Sequence, residues 1–227
     1  MLFYADLDLY GFFAKFVQNQ VSPMKTTLSL AVLALAVACT SAPKQIFKEA
    51  ADVGSVSIPG TFSYDKATGT YTLTGAGVNL WNDTDACFIV WKEISGDFVL
   101  SGDVTFEGEG VNPHRKIGFM IRESMDPHSR YADIAIHGDG LTSLQDRAQT
   151  GGPTLEETPD KTSRGTTPIR LTRKGSKLSM CTGDLAGADE ASIEMDLPAE
   201  CVVGLYICSH EENLTETAYF SNIHLEQ

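Results

Sequence analysis

Polar side chains suited to ligand binding concentrate in one stretch of the chain, residues 116–147. The stretch reads as three apolar-alternating runs separated by Asp126-Pro127 and by Gly138-Asp139-Gly140. Gaps that short favour antiparallel neighbours, so we expect a three-strand meander. Alternate residues of a strand point to opposite faces of its sheet. If the three phases coincide, one face carries Arg122, Tyr131, Asp133, His137, Gln145 and Arg147, and the other carries Ile117, Phe119, Ile121, Ile134, Ile136 and Leu144 as core.

The polar face is the predicted ligand-binding surface. Guanidinium, imidazole, amide and carboxylate groups all form hydrogen bonds with hydroxyl groups. A solvated sheet face is the alternative interpretation of the same pattern. The predicted ligand contacts are Arg122, Asp133, His137, Gln145 and Arg147, with His210 expected at the rim because it follows a strongly apolar run.

Structural explanations are also open for Arg122 and for the aromatic residues. Arg122 lies in the middle of an apolar run and could instead pair with Asp133 or Glu93. A flat ring could stack on the apolar face of a sugar, although a buried Trp in the core is the alternative. The candidate rings are Trp81, Trp91 and Tyr131.

Metal-binding patterns are weak. The five His residues show no ligand spacing, so we predict no metal site and no cofactor. Asp83, Asp85 and Asp139 could contribute to a structural calcium site, but turn formation explains these Asp residues more simply.

Four cysteines lie in predicted apolar strands. Their even number would permit two disulfides in an oxidising compartment. Burial as free thiols is the alternative. The four are Cys87, Cys181, Cys201 and Cys208.

The chain is acidic: its 227 residues carry a formal net charge of −13. Nucleic-acid binding needs a basic surface and is therefore not expected. Direct adsorption on anionic lipid is not expected either. An acidic surface suits a soluble exported domain and neutral ligands such as sugars.

The first 52 residues differ from the rest in composition. Residues 1–23 are interpreted as a non-native extension upstream of a start at Met24. Residues 24–39 have the layout of a bacterial export or lipoprotein signal, with an apolar run and small residues before Cys39. Lipidation of Cys39 would make the protein a periplasmic or outer-membrane lipoprotein that touches the membrane only through its anchor. Cleavage after Ala38 without lipidation would release a soluble periplasmic protein.

Residues 40–52 are predicted to form a tether with a turn of helix at 46–51, and residues 53–227 a single folded domain. Short runs separated by Gly, Pro, Asn and Asp predict about eleven strands and no convincing helix. Residues 61–64 and 70–74 should form a hairpin, and 201–208 a buried central strand. Residues 148–167 read as a long loop that could overhang the polar face. The fold class is therefore all-β, a two-sheet antiparallel β-sandwich.

Several motifs stand together in a recognisable order. A Trp after a Gly-rich turn is followed by G-x-M-x-R, S-x-D and Q-x-R, and later by V-G-L-x-x-x-S-H and A-x-F-x-N. Over about residues 54–225 the chain resembles the concanavalin A-like (laminin G-like) jelly-roll domains of exported bacterial proteins, the DUF1349-type group. The resemblance implies a jelly roll that recognises a glycan or glycoconjugate, with an envelope protein as the alternative partner.

Glucanases of this superfamily carry E-x-D-x-x-E, with the Glu pair acting as nucleophile and general acid. The nearest match begins at Glu194, but Ala199 replaces the final Glu. A shift of one place, to Glu200, turns that side chain to the other face of a strand. We therefore expect a non-catalytic protein, with a glycoside hydrolase that uses an unrecognised carboxylate pair as the alternative.

Overall fold

The computed structural model describes residues 42–159 and 161–227. The predicted upstream extension, the export signal and Cys39 lie outside the described residues. Within the described ranges, no helix is long and apolar enough to cross a membrane.

β-Strands account for all the regular secondary structure of the described residues. The strands are β1 (Glu49–Val53), β2 (Thr61–Asp65), β3 (Thr70–Gly77), β4 (Asn79–Trp81), β5 (Thr84–Ser95), β6 (Phe98–Phe106), β7 (Lys116–Arg122), β8 (Tyr131–His137), β9 (Thr142–Arg147), β10 (Leu155–Glu157), β11 (Thr167–Lys174), β12 (Lys177–Thr182), β13 (Ala191–Glu194), β14 (Glu200–Cys208) and β15 (Glu211–Glu226).

The strands form two antiparallel sheets that pack face to face. The front sheet has the order β1-β5-β14-β7-β8-β9-β10, and β4 pairs with β5 beside it. The back sheet has the order β13-β12-β11-β6-β15-β3-β2. This arrangement confirms the predicted all-β, two-sheet antiparallel sandwich and the β7–β8–β9 meander.

The core between the sheets is built from the predicted inward face of the meander. Ile117, Phe119 and Ile134 are fully buried there, together with Leu100 and Leu171 of the back sheet. Burial of each such side chain stabilises the fold by roughly 1.5–3 kcal/mol relative to exposure. Because the apolar residues of β7, β8 and β9 face the core, the alternate, mostly polar residues of these strands lie on the outer face of the front sheet.

Strand β14 lies between β5 and β7, which confirms the predicted central strand at 201–208. It is apolar on both faces because a second buried cluster covers the outer face of the front sheet. That cluster consists of Val53, Leu80, Cys87, Ile89, Met120, Tyr131, Tyr206 and Cys208. The four cysteines of the described chain are buried free thiols.

The predicted hairpin at 61–74 also forms, with Thr61 opposite Thr74 across β2 and β3. Gly69 closes its turn with φ +74°, a left-handed conformation that Gly adopts without a steric penalty.

The chain joins the sandwich earlier than the predicted tether suggests. Phe47 is fully buried, and β1 pairs with β5 from Glu49 opposite Trp91 to Val53 opposite Cys87. The predicted helical turn at 46–51 is therefore wrong. An isolated helical turn is costly to nucleate, whereas the edge of β5 offers a ready row of backbone partners.

Candidate functional site

Cross-strand register brings the polar residues of the meander onto the outer face of the front sheet. Three rows run across this face; the first lies four residues from the second along the strands, and the second lies two residues from the third. The rows are Lys116–His137, Met120–Asp133–Gln145 and Arg122–Tyr131–Arg147.

The hairpin of β4 and β5 folds over part of this face. Leu80 of β4 is fully buried, and its carbonyl oxygen accepts hydrogen bonds from the Tyr131 hydroxyl (3.2 Å) and from Lys116 Nζ (3.4 Å). Part of the predicted ligand-binding surface is therefore covered by the protein itself. The outer face divides into a closed end and an open end.

At the closed end, two arginines share one carboxylate. Arg122 Nη2 lies 3.1 Å from Asp85 Oδ2, and Arg147 Nη2 lies 2.7 Å from Asp85 Oδ1. All three side chains are fully buried. Arg122 therefore pairs neither with Asp133 nor with Glu93, the two partners considered from the sequence. We call Asp85, Arg122, Tyr131 and Arg147 the arginine cluster.

Protein atoms, almost all of them oxygens, accept from the remaining nitrogens of the cluster, and Arg122 Nη1 donates to Met120 Sδ at 3.4 Å. Arg122 donates from Nε to the carbonyl oxygen of Ser124 (2.6 Å), and Arg147 donates from Nε to that of Asn82 (3.1 Å). The Tyr131 hydroxyl also contacts Thr154 Oγ1 at 3.1 Å. The predicted ligand contacts at Arg122, Tyr131 and Arg147 are thus corrected: these side chains are buried and engaged within the protein. Further carbonyl acceptors come from Asp126, Pro127, Ser129 and Gly152.

Asp85 was a candidate calcium ligand, and its two ion pairs with Arg122 and Arg147 account for its position without a metal ion. Asp139 serves its turn, because its Oδ1 accepts from the backbone N–H of Leu141 at 2.9 Å. Across the described ranges, no group of three or more His, Cys, Asp or Glu is placed to hold a metal ion.

The open end of the outer face contains a pocket of about 240 Å³. We call it the open pocket. It brings together four residues singled out from the sequence, namely Trp81, His137, Gln145 and His210. Five others were not predicted: Asn79, His114, Lys116, Leu141 and Glu156.

Lys116 forms the floor of the pocket and is 2% exposed. Its ammonium donates to Asn79 Oδ1 (2.9 Å), Gln145 Oε1 (3.3 Å) and the Leu80 carbonyl (3.4 Å). Its Nζ also lies 5.4 Å from the centroid of the Trp81 ring, within range of a cation–π attraction. Burial lowers the pKa of Lys116 because it disfavours the charged form.

The contact with Lys116 fixes the orientation of the Gln145 amide. With Oε1 accepting from Lys116, Gln145 Nε2 is directed toward Glu156 Oε2, 3.3 Å away. Glu156 is exposed on edge strand β10, at the mouth of the pocket. The amide therefore directs its N–H donors toward β10, and Glu156 accepts one of them.

Three histidines gather at the pocket although they are far apart in sequence. The rings of His114 and His137 meet edge-on at 6.1 Å between centroids, and His210 lies 5.8 Å from His114. His137 is 5% exposed, and neither ring nitrogen has a hydrogen-bond partner. Burial lowers the pKa of His137 to about 3 and also lowers the pKa of His210. At neutral pH each of these two rings is a neutral imidazole with one donor and one acceptor.

Asp133 lies between the two ends of the face and is fully buried. Neither carboxylate oxygen has a hydrogen-bond partner, and the nearby Tyr206 hydroxyl donates instead to the carbonyl of Ile134 at 3.4 Å. Burial raises the pKa of Asp133 to about 7. Its predicted ligand contact is corrected, because Asp133 is fully buried and is not among the residues that line the open pocket.

Two further predicted residues lie elsewhere. Trp91 is half-buried against the outer cluster and is not among the residues that line the open pocket. Glu194, which begins the incomplete E-x-D-x-x-E match, lies on β13 of the back sheet. Glu200, one place beyond the match, begins β14 of the front sheet, so the two Glu residues do not share a strand.

Comparisons with known proteins place the fold. No protein-family model matches the sequence, and no curated protein matches it. Among solved structures, carbohydrate-binding module CBM66 from Bacillus subtilis aligns with a TM-score of 0.55 at 15% identity, over 82% of this chain and 99% of that one. A functionally unknown protein from Saccharomyces cerevisiae aligns with a TM-score of 0.55 at 19% identity, over 74% and 95% of the two chains. A family 7 alginate lyase, A1-II′, crystallised with product, aligns with a TM-score of 0.50 at 10% identity, over 73% and 82%.

Likeness at such low identity shows the fold alone. The chain is a two-sheet antiparallel jelly-roll β-sandwich, as predicted, and this fold is consistent with the resemblance to concanavalin A-like domains. Its relation to the DUF1349-type group stays a prediction.

Proposed function

We propose that the protein is a non-catalytic, lectin-like jelly roll that recognises a sugar unit of a glycan in the open pocket. One observation carries the proposal. The pocket combines a half-buried indole ring, Trp81, with His137, a buried imidazole whose two nitrogens have no partner in the protein. Sugar recognition needs this pairing of an apolar ring face with convergent polar groups.

The chemistry of the pocket suits hydroxyl groups. A neutral imidazole can donate to one oxygen and accept from another, as adjacent sugar hydroxyls require. The Gln145 amide adds N–H donors whose direction Lys116 fixes. The volume of about 240 Å³ is below the roughly 300–1,000 Å³ usual for drug-sized ligands. The pocket therefore fits one sugar unit, with any further units of the glycan outside it.

The fold comparisons support the same class of function. The aligned structures include a carbohydrate-binding module and an alginate lyase with bound product. A jelly roll alone does not fix function, so the proposal depends on the pocket and not on the likeness.

Binding to a glycan array, followed by calorimetry on the best ligand, tests the proposal. Trp81→Ala and His137→Ala should each weaken binding by about ten-fold or more, because a stacking surface or a directed hydrogen bond is lost. His128→Ala and His224→Ala remove the two histidines outside the pocket and should leave binding unchanged. Absence of glycan binding, or full binding by both pocket variants, would refute the proposal.

The proposal includes export, with Cys39 lipidated and the domain held at the cell envelope. Its basis is the sequence of residues 24–39. Mass spectrometry of the mature N-terminus is the test, and an unmodified residue after Ala38 would refute the lipid anchor.

A further inference from the structure

Lys116 is a buried cation that forms no salt bridge among the described residues. Three other buried cations have acidic partners, whereas Arg173 of the back sheet has only carbonyl and sulfur acceptors. Arg122 and Arg147 share Asp85, and Arg115 pairs with Glu216 at 2.6 Å. Lys116 is buried to the same degree, but its three acceptors are one amide oxygen of Asn79, one of Gln145 and one backbone carbonyl.

This arrangement is unfavourable unless a negative charge arrives. Lysine is almost never fully buried without a partner, and an ammonium taken out of water loses hydration that neutral oxygens replace only in part. Two of its three contacts are long, 3.3 and 3.4 Å. An anion placed here would interact with Lys116 far more strongly than at the surface, because the local dielectric constant is low.

Acidic groups act on Lys116 only through their fields: Asp133 and Glu156 raise its pKa, against the burial that lowers it, but neither forms a salt bridge with it. Glu156 is exposed at the mouth and contacts the Gln145 amide. Asp133 lies beneath the pocket without an ion pair to Lys116, and burial raises its pKa to about 7. Asp139 and Glu211 act on His137 and His210 only through their fields. Lys116 therefore has neutral acceptors only, and an arriving carboxylate would replace one of its two long contacts, to Gln145 Oε1 or to the Leu80 carbonyl.

We propose that the open pocket binds the carboxylate of an acidic sugar, a uronate, with Lys116 as its counter-ion. This rests on the proposed function and specifies its ligand class. The ammonium and the one Gln145 N–H that Glu156 does not occupy give the planar carboxylate two adjacent donors, and His137 and Trp81 remain for the sugar ring. The net charge of −13 suggested neutral ligands. Surface charges are screened beyond about 10 Å, so a local buried cation can select an anion at short range.

Calorimetry with matched ligands tests the proposal directly. The probes are glucuronate, galacturonate and mannuronate, each compared with its neutral hexose and with its uronamide, plus sodium acetate as the carboxylate alone. At least one uronate should bind about ten-fold or more tightly than its hexose and its uronamide. Lys116→Met keeps the apolar stem, removes the charge, and should abolish that preference. Lys177→Met, an exposed lysine on β12, should change nothing.

The outcomes separate this inference from the proposed function. If a hexose binds as tightly as its uronate and Lys116→Met weakens neither, glycan recognition stands and the acidic class is overturned. If acetate binds through Lys116 but no sugar does, the carboxylate site stands and the glycan function fails. If no probe binds, the acidic class is overturned, and the glycan array decides whether glycan recognition stands. The uronamide comparison on the unaltered protein decides the charge question even if Lys116→Met does not fold.

Discussion

The arginine cluster and the open pocket are two ends of one sheet face, built by the same alternation of β7, β8 and β9. Both contain buried cations. In the arginine cluster, Asp85 and backbone carbonyls satisfy Arg122 and Arg147. In the open pocket, Lys116 has only neutral oxygens and His137 has no partner. The comparison teaches that residue type does not separate a structural polar residue from a binding residue. What separates them is whether another segment of the chain completes their contacts.

The segment that makes the difference is the β4–β5 hairpin. It brings Asp85 over the arginines, while its first strand supplies Leu80 and Asn79 to Lys116. The hairpin therefore closes one end with a carboxylate and leaves the other with carbonyl and amide oxygens. Complete satisfaction predicts rigidity and a structural role, and incomplete satisfaction predicts binding.

Removal of Asp85 should have the largest effect. Asp85→Asn leaves two buried guanidinium groups without a counter-ion and should lower the free energy of unfolding by about 3–5 kcal/mol. Lys116→Met at the other end removes an unpaired charge and should lower it by less than about 1 kcal/mol, or raise it. Urea denaturation of both variants measures the difference. Equal losses would show that the two ends do not differ as described.

Asp133 links the two ends and should make stability depend on pH. Its pKa is raised from 3.8 to about 7 in the folded protein, so folding favours the neutral acid. The stabilisation from this group is present below pH 3.8 and is lost as pH rises to about 7. The loss is about 1.4 kcal/mol per pH unit, or about 4 kcal/mol in all.

The variant Asp133→Asn should therefore gain stability relative to the unaltered protein as pH rises from 4 to 7, and the difference should level off above pH 7. His137 has the opposite effect on the pH dependence of stability. Its pKa falls from 6.5 to about 3 on folding, so its contribution to stability is present above pH 6.5 and is lost as pH falls to about 3. Because both proteins retain His137, the difference between their unfolding free energies isolates Asp133. A difference independent of pH would contradict a buried, unpartnered carboxyl group at this position.

The sequence predicted those features that depend on local periodicity. Alternation assigned Phe119 and Ile134 to the core and Arg122 and Gln145 to the other face, because side-chain direction in a strand follows from position alone. Lys116 shares the phase of Arg122, so the same alternation could have placed it on the polar face. The apolar run at 201–208 similarly predicted a central strand, since such a strand is covered on both sides.

The features that the sequence did not predict depend on contacts between residues far apart in the chain. Nothing near Arg122 in the sequence indicates that Asp85 will cover it, and the pairing depends on how a distant hairpin folds over the sheet. His114, His137 and His210 show no ligand spacing, yet a loop, a strand end and a turn bring them together. Periodicity assigns a side chain to a face, but it does not say what lies above that face.

The smallest predicted effect concerns Glu156, the acidic group at the mouth of the open pocket. Its charge opposes an incoming carboxylate, while solvent and salt screen it. Glu156→Gln keeps an acceptor for the Gln145 amide and should tighten uronate binding by about two- to five-fold, more at low ionic strength. Glu157→Gln, the next residue on β10, points to the opposite face and serves as the control. A neutral hexose should gain nothing from Glu156→Gln. An equal gain in affinity for hexose and uronate would mean that Glu156 acts through shape or hydrogen bonding. The electrostatic distinction between the two ends of the face would then rest on Lys116 alone.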